Sequence, residues 1–183
     1  MKRQRGFTLT ELMVAASLAL VLAAAAAPNY ASLLDALALR SATGELFSAV
    51  QFTRAQAIAR NTRVMLAPLG EEGDWADGWA VFIDRDADRR PGEGDEFLLR
   101  RGPLPPGLVA RASFSTQPSP PYIAYNGSGR ACSATSSMVA RFGSLTLQQG
   151  DAVRRIKISM LGRARVCNPA HDDSCGGDDD AAP

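Results

Sequence analysis

The segment that most constrains this chain lies at its start, MKRQRGFTLTELMVAASLALVLAAAAAPNY. From Phe7 to Ala27, 17 of 21 residues are apolar. A helix of that length, rising about 1.5 Å per residue, measures roughly 30 Å, the thickness of a bilayer core. Lys2, Arg3 and Arg5 precede the run, and basic residues stay on the cytoplasmic side of a membrane. The rest of the chain then lies across it. A cleaved secretory signal also suits the basic start and the small residues of Ala23 to Ala27, and a plain anchor suits the length. Neither explains Glu11, which stands inside the apolar run. A carboxylate in lipid costs on the order of 3 kcal/mol on insertion scales and usually has a partner.

The run Lys2-Arg3-Gln4-Arg5-Gly6-Phe7-Thr8-Leu9-Thr10-Glu11-Leu12, with Pro28-Asn29-Tyr30 beyond it, resembles the class III leader of type IV pilins and of the pseudopilins of type II secretion. The resemblance implies that a prepilin peptidase cuts after Gly6 and that the new N-terminal residue, Phe7, is N-methylated. It places Glu11 fifth in the mature chain and Pro28 at a helix bend. Glu11 then has a purpose. When subunits pack helix on helix, its carboxylate pairs with the α-amino group of a neighbour, and the cost of an unpaired charge in lipid favours one register.

With 20 basic and 19 acidic residues the net charge is +1, so there is no global pull toward nucleic acid or membrane surface. Setting aside the leader and helix leaves about 120 residues, enough for one compact domain. The sequence shows no Gly-rich phosphate loop, HExxH or CxxC pair, and its one histidine is His171, in a polar tail. The chain is therefore not expected to be an enzyme or to carry a cofactor.

The helix is expected to continue to about residue 61. Leu39, Thr43, Leu46, Val50, Thr53 and Ala57 recur in steps of four and three, with Phe47 and Ile58 beside them, one face of an amphipathic helix. Gly44 weakens it by about 1 kcal/mol relative to Ala without breaking it. Strands are expected over 62–67, 78–84, 95–101, 108–114, 122–125, 138–147 (interrupted at Gly143), 153–160 and 163–167, from β-branched and aromatic runs between turn residues. The proline-rich SFSTQPSPPY reads as a loop. The chain thus divides into a leader (1–6), a transmembrane and assembly helix (7–27), an amphipathic helix (28–61), a β-rich head (62–168) and an acidic tail (169–183), the end of which reads as disordered.

RAQAIARNTRV, DWADGWAVFID, YNGSGRA and KISMLGRARVC resemble the FimT/GspH branch of minor pilins and pseudopilins. One departure is the absence of a cysteine at the end of SLTLQQ. The resemblance implies an α+β fold of lollipop form, a long N-terminal helix whose second half packs on antiparallel β-sheets. It also implies a single-pass inner-membrane protein, N-terminus cytoplasmic and head periplasmic, that passes into a type IV pilus or a type II secretion pseudopilus. Its partners would be the prepilin peptidase, other major and minor pilins or pseudopilins, and in DNA-uptake members duplex DNA.

Three local features carry expectations of their own. Asp84, Asp86 and Asp88 have the spacing that opens a calcium loop, and Asp95 and Glu96 could close it. Arg89 and Arg90 stand where such a loop needs its glycine, so the reading is a solvated acidic hairpin with no metal. Trp79 is expected in the sheet core and Trp75 half exposed. Cys132, Cys167 and Cys175 would lie in the oxidising periplasm. The short loop between Cys167 and Cys175 closes readily, and relatives often have a late cysteine pair. Cys167–Cys175 with Cys132 unpaired is expected, and Cys132–Cys167 is the alternative. Finally, Arg155 and Lys157 alternate on one strand, and Arg163 and Arg165 follow the turn at Leu161-Gly162. If the strands form a hairpin, these four cations share one surface. The Gly162-Arg163-Ala164-Arg165 segment resembles a DNA-contacting motif of the family. Asp172, Asp173, Asp178, Asp179 and Asp180 oppose that charge, so arginines paired to the tail and arginines facing DNA both remain open.

Overall fold

The computed structural model describes residues 8–70, 72–116 and 119–176, except the side chains at 25–29 and 31. The leader, Gly6, Phe7 and the end of the acidic tail lie outside the described residues, as does the Pro28 side chain. The chain forms two compact units, Met1–Leu37 and Ala38–Pro183. Helix α1 runs from Leu9 to Arg60. Among the described residues no helix is long and apolar enough to cross a membrane.

In the second unit the predicted helical face is buried throughout. Leu39, Thr43, Leu46, Val50, Thr53 and Ala57 are all inside. The two threonine hydroxyls satisfy themselves by donating to carbonyls one turn back, Thr43 to Leu39 and Thr53 to Ala49, each at 2.7 Å. Ile58 is the exception to the predicted face, being half exposed. The helix stops in a reciprocal C-cap. Asn61 takes a left-handed φ of 49°, its N–H reaches the Ile58 carbonyl, and the Thr62 N–H reaches that of Ala57.

The strands are β1 (Val64–Pro68), β2 (Trp79–Ile83), β3 (Glu96–Arg101), β4 (Leu108–Phe114), β5 (Ile123–Tyr125), β6 (Gly143–Gln149), β7 (Ala152–Ile158) and β8 (Ala164–Cys167). They form two antiparallel four-stranded sheets, ordered β3-β2-β1-β5 and β4-β6-β7-β8. The fold is α+β, as expected. One core joins the helix face to Val64, Leu66, Val81, Ile123 and Tyr125 of the first sheet and Leu145, Leu147, Ile156 and Ile158 of the second. Each such side chain contributes about 1.5–3 kcal/mol on burial. A smaller cluster of Met65, Ala67, Phe82, Tyr122, Ala124 and Cys132 covers the opposite face of the first sheet. Hence β1 is buried along its whole length.

Two expectations need correction. Trp75 is 1 % exposed rather than half exposed. Asp74 caps a short 3-10 turn by accepting from the Ala76 N–H at 2.8 Å, and that turn carries the indole into the core. The strand expected over 138–147 begins only at Gly143 and extends to Gln149. The segment before it pairs elsewhere, in a bridge between Cys132 and Ala140.

Candidate functional site: a helix start and a capped cationic hairpin

At the start of α1 the described residues show how Glu11 is satisfied within one chain. Its Oε2 accepts from the Thr8 N–H at 2.9 Å and from the Thr8 hydroxyl at 2.8 Å. The Thr8 Oγ1 in turn accepts from the Glu11 N–H at 3.3 Å. This is a capping box, the reciprocal use of a Thr and a Glu three residues apart to satisfy N-terminal donors. The Thr-x-x-Glu spacing is a local signal, and the sequence reading passed over it.

The cationic residues of the head sit on the β7–β8 hairpin. Antiparallel register sets Lys157 opposite Arg165 and Arg155 opposite Cys167. Alternation therefore places Arg155, Lys157 and Arg165 on one face, as expected. Arg163 lies one residue before β8, and its carbonyl closes the turn by accepting from the Ser159 N–H at 3.0 Å.

That face is covered by the chain's own next segment. A disulfide joins Cys167 to Cys175 and folds the intervening loop back. Arg165 pairs with Asp172 at 3.1 Å and donates to the Ser174 hydroxyl at 2.9 Å. Lys157 donates to the Gly176 carbonyl at 2.8 Å. Arg155 donates to the Cys175 carbonyl at 2.9 Å and to the Thr146 hydroxyl at 3.1 Å, and it is only 4 % exposed. The Ser174 hydroxyl, then the Arg165 guanidinium, hold the Asp172 carboxyl below the usual carboxylate range. Of the four cations singled out from the sequence, Arg163 is the one whose side chain has no partner among the described residues. The remaining cysteine, Cys132, is a buried free thiol, pushed up in pKa by that burial and so held as the unreactive thiol form.

The acidic hairpin turns its oxygens largely on itself. Asp84, Asp86 and Asp88 accept from the backbone N–H groups of Ala87, Asp88 and Arg90. Asp95 accepts from Arg85 and Gly92. Glu96 pairs with Arg60 and with Arg85, the latter at 2.7 Å. The three aspartates do lie close enough together to share an ion. A second buried cation was not foreseen. Arg141 lies between the rings of Phe114 and Tyr122, 4.5 and 4.2 Å from their centroids. It donates to the carbonyls of Thr116 and Tyr122, and burial lowers its pKa to about 10, so it stays charged at neutral pH.

Residues 42–162 match the family model described as type II transport protein GspH, and residues 1–27 match that of the prokaryotic N-terminal methylation motif. The chain belongs to the GspH family. It is 31 % identical to the pilin-like protein PilA1 of Thermus thermophilus over 89 % of its own length and 98 % of that protein. It also shares the fold of the type IV minor pilin FimU of Pseudomonas aeruginosa. There the TM-score is 0.56 at 18 % identity, covering 72 % of this chain and 90 % of FimU. A second crystal form of FimU gives 0.55 at 17 % identity, with 72 % and 94 % covered. By its family and its pilin-like relative this GspH-family chain is a pilin or pseudopilin, a structural and non-enzymatic protein. Its methylation motif is that of a membrane-anchored pilus or pseudopilus subunit, a substrate of prepilin peptidase and a partner of other pilins or pseudopilins.

Proposed function

We propose that this GspH-family chain is a minor subunit of a type IV pilus, cut between Gly6 and Phe7 and assembled through Glu11. The observation that carries the reading is the methylation motif over residues 1–27 joined to a match with a pilin-like relative over 89 % of the chain. Residues 7–27 insert in the inner membrane with the basic leader in the cytoplasm, and the head faces the periplasm before assembly. Pro28 bends the helix beyond that segment. The capping box holds Glu11 within its own chain until a neighbour's Phe7 amine replaces the Thr8 donors. Intact mass of the protein from its host should show loss of residues 1–6 and gain of one methyl group. Glu11→Ala should leave the protein in the membrane and cut its incorporation into sheared pili about ten-fold, the effect of losing about 1.4 kcal/mol of pairing. Cleavage within Ala23 to Ala27 would sink the reading. Presence in a secretion pseudopilus, with exoprotein export lost on deletion, would replace it with the type II alternative.

A second reading is favoured by Lys157 and Arg165 standing opposite each other with Arg163 next to them. In it the hairpin binds duplex DNA through phosphate. Arg155 takes part only as a buried support. Binding of random duplex to the full chain in detergent should then fall with salt and vanish with Arg163→Gln plus Arg165→Gln. Absence of binding at low ionic strength, even with Gly176–Pro183 deleted, would end it.

A further inference from the structure

The tip of the β7–β8 hairpin borders a cavity of about 730 Å³. It is lined by Phe142, Ile158, Met160, Leu161 and Ala164 together with Lys157, Arg163 and Arg165. Phe142, Met160 and Leu161 are 42, 53 and 58 % exposed, so they are not part of the core. Solvent-exposed apolar side chains clustered in one concavity mark an interaction site.

The tip is held in place rather than loosely projecting. The Gly162 N–H donates to the Ser159 carbonyl at 2.8 Å. Gly162 has a φ of +79°, and a Cβ there would stand 2.3 Å from the Gly129 carbonyl oxygen. The turn is therefore pressed against the Asn126–Arg130 turn, which α1 holds in its turn through Arg54 donating to that same carbonyl at 2.9 Å. A pinned turn presents Met160 and Leu161 with little ordering entropy left to lose on binding.

Charge selects among occupants. Lys157 and Arg165 already hold oxygens of the disulfide-closed segment, which leaves Arg163 as the lining cation whose guanidinium has no partner among the described residues. One free positive charge beside a mainly apolar concavity fits a large apolar side chain next to a single carboxylate. A duplex backbone would gain from several free cations and nothing from the apolar walls. We propose that this groove docks a loop from the head of a neighbouring filament subunit, a loop that seats an apolar side chain on Phe142, Met160 and Leu161 and places a carboxylate on Arg163. The proposal rests on the reading of the chain as a filament subunit.

The test uses the full-length chain in its host, with a photo-reactive phenylalanine analogue at Leu161 or, separately, at Met160. The fully exposed Met138, which does not line the groove, carries the control. The expected adduct joins either groove position to a peptide with an apolar residue beside Asp or Glu, from a protein that itself carries an N-terminal methylation motif. Arg163→Glu should reduce that adduct at least about ten-fold, since like charges brought together cost several kcal/mol. Changing the partner's carboxylate to Arg should restore it. Adducts only to Gly177–Pro183 of the same chain, to nucleic acid or to lipid would overturn the proposal. So would no adduct from a chain that is cleaved and present in filaments, and the filament reading would then stand alone. Absence of the chain from filaments would remove both.

Discussion

Two carboxylates, one in each compact unit, are satisfied in opposite ways. Glu11 bonds to Thr8, three residues away on the same helical turn. Asp172 bonds to Arg165 on a neighbouring strand, and a disulfide holds the loop that presents it. The first arrangement needs only a helix start and can be exchanged for an intermolecular partner without disturbing the rest of the chain. The second is built into the head, since the same loop also carries the carbonyls that satisfy Arg155 and Lys157. Local capping thus ties Glu11 only to its own helical turn, as the proposed assembly role requires, whereas the covalent loop commits most of the hairpin's positive charge to its own chain.

The comparison can be broken most strongly at the disulfide. Replacing both Cys167 and Cys175 with Ser should lower the stability of the head by about 2–3 kcal/mol. Denaturant unfolding read at the tryptophans, both buried in the head, measures it. It should also free Arg155, whose guanidinium would become accessible to arginine-selective modification. An unchanged midpoint would mean that the loop is held by its hydrogen bonds alone. A smaller effect is expected at the helix start. Thr8→Val removes the cap, worth about 1 kcal/mol. It should raise hydrogen exchange in the first turn of α1 roughly five-fold and leave the head's unfolding midpoint where it was.

The smallest effect concerns pH. Asp172 and Glu96 both have carboxyls held below the usual range, Asp172 chiefly by Ser174 and Glu96 chiefly by Arg85 and then Arg60. A depressed folded value means that each contribution is complete above the ordinary carboxylate pKa and is lost as pH falls through the lower folded value. Melting of the head should therefore be flat from neutral pH to about 5 and decline below about 4. Asp172→Asn should make that decline shallower. Because both groups are exposed and salt-screened, the change should be smaller than either of the other two, and high salt should shrink it further.

The amphipathic face of the helix was legible because its 3.6-residue period repeats over five turns. Its one misplaced member, Ile58, lies in the last turn before the Asn61 cap. The strands of the head were legible from alternation, with their ends shifted by a residue or two, except that the strand expected from 138 starts only at Gly143 because the segment before it pairs in a bridge between Cys132 and Ala140. Trp75 was misjudged because a 3-10 turn capped by Asp74, not the period of a strand, decides where its ring goes. Alternation placed Arg155, Lys157 and Arg165 on one face, while Arg163 lies in the turn before β8. Asp172 was legible as an acid opposing them and pairs with Arg165; the Ser174 hydroxyl and the Cys175 carbonyl were not, because they reach the cations through a covalent closure and not through a spacing.

The sequence by itself determined the N-terminal chemistry. Basic leader, Gly6-Phe7 junction, Glu11 and Pro28 stand in a fixed linear order, and the methylation motif over residues 1–27 is a match to that order alone. It also determined the α+β class, since period and alternation are local properties. Only the tertiary structure decided which cations are spoken for and which side chains are left facing water. Both depend on how residues far apart in the chain meet. The chain after Cys167 returns to pair Asp172 with Arg165 and to give its carbonyls to Arg155 and Lys157. The turn at Gly162 is pressed against Gly129, and that contact leaves Met160, Leu161 and Arg163 at the surface.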